Sequence, residues 1–242
     1  MERVRLSAAA VLCALVCVLG MGAPGAPARA SALNGANALA EVGDWSLITD
    51  REGIRVFAAS SDGSRLRAFR GETQMRIDDF RGIAPRLDNY EAVAGWMHMV
   101  SAITELDRRH DHDRDLHLTT YLPWPVRNRD VVLNIGLHQD PSDYTLTLHY
   151  DDIPRPDVVL PGYMRMPQMV GKLRFTPLEA PNVAVTFEVI ADPGGAIPVW
   201  LANMLVRDIP YFSLYRLSRM INQPLPVDRP HHPDIKAPPG WP

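Results

Sequence analysis

Only two cysteines occur in the 242 residues, Cys13 and Cys17, and both fall within the first thirty positions. Beyond Ala30 the chain therefore has no cysteine for a disulfide framework, a thiolate metal site or a thiol nucleophile, and its stability must come from packing. An excess of positive charge is lacking too: 25 Lys and Arg stand against 28 Asp and Glu, a formal net charge of −3. That balance disfavours nucleic acid and anionic bilayers as partners, so no nucleic acid is expected and any membrane contact should be apolar and transient. No G-x-S-x-G nucleophile turn and no glycine-rich loop able to cradle a phosphate occurs, nor any internal repeat.

Residues 1–30 read as a secretory signal. Arg3 and Arg5 make a basic start, Leu6 to Met21 an apolar run, and Ala28-Arg29-Ala30 a small-residue cleavage site. Cleavage would remove three basic groups and one acid, leaving a formal charge of about −5 on an exported protein, periplasmic or secreted. An uncleaved anchor is the alternative, although the run is short for a span. Lipidation is disfavoured because Leu12 and Val16, not small residues, precede the cysteines.

Ala32 to Asp44 suits a short opening helix. Ile54 to Ala59 and Arg65 to Arg76, joined by Ser60-Ser-Asp-Gly-Ser64, predict a β-hairpin, with Trp45-Ser-Leu-Ile leading into it. A helical region follows from Ile77 to Trp96, with Asp78 as N-cap and Pro85 as the residue that breaks or kinks it. Ser101 to Leu106 and Asp115 to Leu122 read as strands around a charged tip, Asp107 to Arg114, and the cluster His110, Asp111, His112, Asp113, Asp115 and His117 is expected to be a solvated hairpin tip rather than a metal site. Val131, Leu133, Ile135 and Leu137 alternate with polar residues, and so do Tyr144, Leu146, Leu148 and Tyr150, which predicts two antiparallel strands. Pro154, Pro156 and Pro161 make the next stretch a loop wrapping over the sheet. Tyr163 to Met166, Lys172 to Thr176 and Val183 to Val189 complete the strands, and the proline-rich residues 223–242 are expected to be extended or disordered.

Asp192 to Asn222 is the stretch around which these elements are organised. Gly194-Gly195 delivers Pro198 to a first helical turn, and Ile197, Trp200, Leu201, Met204, Leu205, Ile209, Phe212 and Tyr215 recur at helical spacing. Val199, Val206, Leu214 and Leu217 spread the apolar character beyond one stripe, so the helix should be covered on more than one side. A curved antiparallel sheet gripping one long C-terminal helix is the economical arrangement.

Tyr121-Leu-Pro-Trp-Pro-Val-Arg-Asn-Arg-Asp-Val-Val132 resembles the P-x-P-V-x-x-R-D-x-V segment of START domains, the StAR-related lipid-transfer modules. Gly53-Ile-Arg-Val56, Trp96, Tyr163-Met-Arg165, Phe175-Thr-Pro177 and Asp192-Pro-Gly-Gly-Ala-Ile-Pro198, with Trp200 and Asn203, follow in the order of the family's pattern. The resemblance spans roughly Ala38 to Asn222. It implies an α+β helix-grip fold over residues 31–222, with a tunnel between sheet and C-terminal helix holding one lipid or sterol-like molecule; a monomeric carrier without cofactor, metal or catalysis is expected. It places Trp96, Met99, Leu133, Ile135, Leu146, Leu148, Met164, Met166, Phe187, Ile197, Trp200, Leu201, Met204 and Leu205 at cavity or lid, with Trp200, Met204 and Leu205 the sharpest lid contacts. Arg129 and Asp130 would be structural, pairing across the sheet. Gly194, Gly195 and Pro210 would serve as gate or hinge, with the helix or the loop from Asp151 to Pro161 moving.

Methionines suit adaptable cavity walls, and Met97, Met99, Met164, Met166, Met169, Met204 and Met220 are available. The steroidogenic members carry a buried arginine six residues beyond the motif arginine, where this chain has Ile135, so a different ligand anchor is implied. The alternatives are a cyclase- or hydrolase-like enzyme, using Asn134, His138, Tyr144, His149 or Tyr150, and a ligand sensor or adaptor.

Overall fold

In the computed structural model the described residues are 39, 42–60, 67–124, 126–195, 197–224 and 231–241. The expected signal segment, most of the opening helix and the Ser60–Ser64 turn lie outside them. The elements run β1 (Ser46–Arg51), β2 (Ile54–Ser60), β3 (Arg67–Arg76), α1 (Ile83–Leu87), α2 (Tyr90–Trp96), β4 (Val100–His110), β5 (Asp113–Thr120), β6 (Arg129–Gln139), β7 (Leu146–Asp152), β8 (Met164–Arg165), β9 (Gln168–Pro177), β10 (Asn182–Asp192) and α3 (Val199–Met220).

Nine strands form one antiparallel path in the order β1-β2-β3-β10-β9-β7-β6-β5-β4, and β8 adds a short parallel pair to β6. Alternation sets the faces. Leu116 and Leu118 of β5 stand beside Leu133 and Val131 of β6, and Leu137 of β6 stands beside Leu148 of β7, all on the inner face that receives the helices. The result is the helix-grip α+β fold.

α3 packs on β2, β3 and β10. It lies close against Gly71 of β3, where a Cβ would stand 2.7 Å from Leu214 Cδ1 and 2.8 Å from Pro210 Cβ. Pro210 is thus a buried contact on the sheet inside an uninterrupted helix. Pro198 occupies the N-cap, and its carbonyl accepts from the Leu201 and Ala202 amides.

Three local expectations change. The 77–96 region is two short helices, whose N-cap residues are Gly82 and Asn89 rather than Asp78; the Asn89 side chain accepts from the Ala92 amide. The charged tip is no loop: β4 and β5 run through it to the two-residue turn Asp111-His112, because Arg109 bridges Asp113 and Asp115 on the sheet's outer face. The third concerns residues 231–241, which carry no helix or strand but lie against the domain. There Ile235 is buried, Trp241 meets Phe80 edge-on at 5.4 Å, and Lys236 exchanges backbone bonds with the Gln139 side chain.

Candidate functional site

Two cavities lie between the sheet and the helices. The sheet-side cavity is walled by Leu87, Val93 and Trp96 from the α1–α2 region, Leu116 and Leu118 from β5, Leu133, Ile135 and Leu137 from β6, and Leu148 and Tyr150 from β7. The helix-side cavity is walled by Met99, Val100, Leu122, Arg129 and Met166 on one side and by Leu205, Val206 and Ile209 of α3 on the other. Met97 and Met169 line both, so two flexible thioether side chains stand between them. Space wide enough for water amounts to about 50 Å³ in the first and about 40 Å³ in the second. A drug-sized ligand occupies a pocket of roughly 300–1,000 Å³, so these walls stand close together and must part to admit one.

The sheet-side wall is apolar except at one corner. Arg114 is buried there and donates from Nη1 to Asp88 Oδ1 at 2.5 Å and to the Tyr90 hydroxyl at 2.9 Å, and from Nη2 to Asp88 Oδ2 at 2.9 Å. Its Nε and Nη2 also donate to the Asp111 carbonyl. Tyr90 donates to Glu105 at 2.7 Å. Burial, with the Glu105 bond behind it, pushes the Tyr90 phenol up to about 12, so it stays a protonated donor. His232, from the C-terminal tail, bonds Asp88 at 2.6 Å and lies 5.2 Å from the His112 ring.

Of the residues expected at the cavity, Trp96, Leu133, Ile135 and Leu148 line the sheet-side space, and Met99, Met166 and Leu205 the helix-side space. Leu146 and Phe187 are buried core residues outside both linings. Met164 sits under Gly195, while Ile197 and Leu201 are half-buried. Trp200 and Met204 are 68% and 42% exposed, because Leu205, Val206 and Ile209 take the inward face of α3. They are not cavity contacts in this arrangement.

Arg129 and Asp130 point to opposite faces and do not pair with each other. Arg129 lines the helix-side cavity and donates to the carbonyls of Pro193, at 2.5 Å, and Gly194, at 3.2 Å, so it fastens the loop before α3. Gly194 and Gly195 hold positive φ of 66° and 74°, a conformation that only glycine adopts freely. Asp130, on the outer face, accepts from Arg165 at 2.8 Å and bonds His117 at 2.9 Å. Burial pushes its carboxyl up, but these two partners outweigh it and hold Asp130 below its ordinary value.

The Asp151–Pro161 loop joins this outer face: Arg155 reaches Asp107 and Asp157, and Val158 accepts from Arg165. It therefore covers the side of the sheet away from the cavities.

The polar corner was not predicted, since Arg114 and His112 were assigned to a solvated tip. The signal was present in the alternation Arg114, Leu116, Leu118, which puts Arg114 on the inner face once β5 is extended by one residue. Asn134 bonds Asp113 and Asp115 on the outer face, and the Tyr150 hydroxyl is engaged by the Glu188 carbonyl at 3.1 Å. Among the described residues no group of three or more His, Cys, Asp or Glu is placed to hold a metal ion.

The chain is 33% identical over 178 residues to an uncharacterized protein of Pseudomonas aeruginosa, covering 74% of this chain and 86% of that one. Among solved structures it is similar to a STAR-related lipid transfer protein from Xanthomonas axonopodis, with a TM-score of 0.67 and 33% identity over 75% of this chain and all of that one. Human StAR-related lipid transfer protein 5 shares the fold, with a TM-score of 0.66 at 14% identity over 73% of this chain and 86% of that one. No family model matches the chain.

Proposed function

The chain belongs to the STAR-related lipid transfer family, and from that premise we propose that it holds one lipid or sterol-like molecule in the joined cavities and carries it without chemical change. The observation that carries this reading is the pair of apolar cavities sharing Met97 and Met169, beneath a helix whose leading loop is held by Arg129. Burial of apolar ligand surface contributes roughly 25 cal/mol per Å², so several hundred Å² hold a ligand without any charge contact. Two of the five candidate catalytic side chains favour a carrier: Asn134 is turned to the outer face, and the Tyr150 hydroxyl donates to a backbone carbonyl.

Exposed apolar residues neighbour, along the chain, residues that line the helix-side cavity. Tyr121 and Trp124 extend from the β5–β6 loop beside Leu122, and Trp200 and Met204 from α3 beside Leu205. We read them as the surface that meets a bilayer while ligand passes. The protein is further proposed to act after export, on the strength of the pattern in residues 1–30. Native mass spectrometry of the purified protein tests the carrier reading: a retained hydrophobic molecule, or uptake of one, is expected, and a protein that takes up no hydrophobic probe would overturn it.

A further inference from the structure

Every polar group in the corner of the sheet-side cavity is engaged, apart from one. All five N–H groups of Arg114 are used, on Asp88, Tyr90 and the Asp111 carbonyl. The Tyr90 hydroxyl both gives and receives, and Glu105 is further held by Arg108. His112 differs. Its side chain lines the cavity beside Arg114, and both ring nitrogens are buried with no hydrogen-bond partner among the described residues. Asp234 Oδ2 stands 3.6 Å from Nε2, beyond hydrogen-bond reach.

We propose that His112 is the polar contact for the ligand, and that the ligand end it receives is an uncharged hydroxyl. This rests on the carrier reading and names the ligand class for the same cavity. A hydroxyl can accept from an imidazole N–H and donate to an unprotonated ring nitrogen, so it complements whichever nitrogen it meets. A carboxylate or phosphate end finds no free cation there: Arg114 is saturated, and Asp88, Glu105 and Asp234 already bring negative charge to the corner. A bare hydrocarbon end leaves the buried imidazole unpaired, which a site of this kind penalises. The tail holds His112 in place through the His232 ring, itself anchored on Asp88.

The test uses the full mature chain and Nile red, displaced by 1-hexadecanol, palmitic acid or hexadecane, each delivered from cyclodextrin. Hexadecanol is expected to displace at least tenfold more effectively than either of the others. His112→Phe should abolish the preference, bringing hexadecanol and hexadecane to one level, with hexadecane displacing better than it does in the natural chain because no imidazole is left unpaired, and His112→Gln, which keeps a donor and an acceptor, should restore part of the preference. Equal displacement by hexadecanol and hexadecane, a preference for palmitic acid, or a hexadecanol preference that survives in H112F would overturn the proposal while leaving the carrier reading intact. Absence of any Nile red binding would instead overturn the carrier reading, and this inference with it.

Discussion

Arg114 on β5 and Ile135 on β6 are direct cross-strand partners on the inner face, so a guanidinium enters the cavity wall directly beside the isoleucine. Its countercharge is Asp88, from the link between α1 and α2. Removing one member of a buried pair strands the other, which costs about 3–5 kcal/mol, whereas replacing both with apolar residues is often close to neutral. Arg114→Leu is therefore expected to lower unfolding stability by about 3 kcal/mol. The double variant R114L/D88L should recover more than half of the loss in urea titrations, and a double variant no better than the single would show that the pair is not coupled in this way.

Gly71 sets how close α3 lies to the sheet. A valine there would drive its methyls into Pro210 and Leu214, and overpacking of this sort costs about 1–3 kcal/mol. Gly71→Val is expected to fall in that range and to loosen α3, read as faster amide exchange along 199–220. Unchanged exchange with unchanged stability would mean that the helix finds another seat at no cost.

His98 gives stability a dependence on pH. Its ring packs on Phe212 at 4.8 Å, and burial, with Arg216 nearby and Asp208 acting the other way, lowers its pKa from the ordinary histidine value. The unfolded chain therefore takes up a proton, at about pH 6.5, that the folded chain resists. Stability from this group is complete above that value and declines as pH falls towards the folded pKa. Asp113, held at about 2 by Arg109 and Asn134, contributes its own loss only in stronger acid. His98→Phe keeps the ring contact and should lose less stability than the natural chain between pH 7.5 and 5.5, measured as urea midpoints; parallel losses would exclude His98 as the cause.

The fold was legible in the chain because its signals are local and periodic. The alternation of Val131 to Leu137 and of Leu146 to Tyr150 named two adjacent strands, and Pro198 marked the start of α3 to within one residue. The corner around Arg114 was not legible, because charged residues near a turn read as a solvated tip. Only the register that sets Arg114 beside Ile135, and Asp88 arriving from elsewhere in the sequence, turn it inward. Trp200 and Met204 failed for a related reason: apolar character spread around a helix does not say which side meets the sheet. The outward position of the Asp151–Pro161 loop depends on Arg165 finding Asp130, an ion pair between distant positions that periodicity cannot supply.

Met97 and Met169 are expected to set the rate at which the interior opens. Their side chains line both cavities, and an unbranched thioether moves aside where a β-branched residue cannot. Replacing both with isoleucine keeps apolar volume but stiffens the partition. Stopped-flow uptake of Nile red should slow by about tenfold, a barrier change of about 1.4 kcal/mol, with a much smaller change in equilibrium affinity. Equal slowing of uptake and weakening of affinity would point to lost contact area instead.

Trp124 is 92% exposed and Trp200 68% exposed, and each lies a few residues along the chain from a residue that lines the helix-side cavity, Leu122 and Leu205. Tryptophan favours the bilayer interface, where its apolar body is buried while its N–H keeps a polar partner, and half-burial of one such ring contributes about 2 kcal/mol. Neither ring supports the core, so W124A/W200A should leave the melting temperature and solution affinity for Nile red unchanged. What should change is transfer between neutral phosphatidylcholine vesicles, which is expected to slow at least fivefold and to lose its dependence on vesicle concentration. Because the neighbouring chemistry is apolar, adding anionic lipid should not restore the rate. A variant that transfers as fast as the natural chain would place the bilayer contact elsewhere.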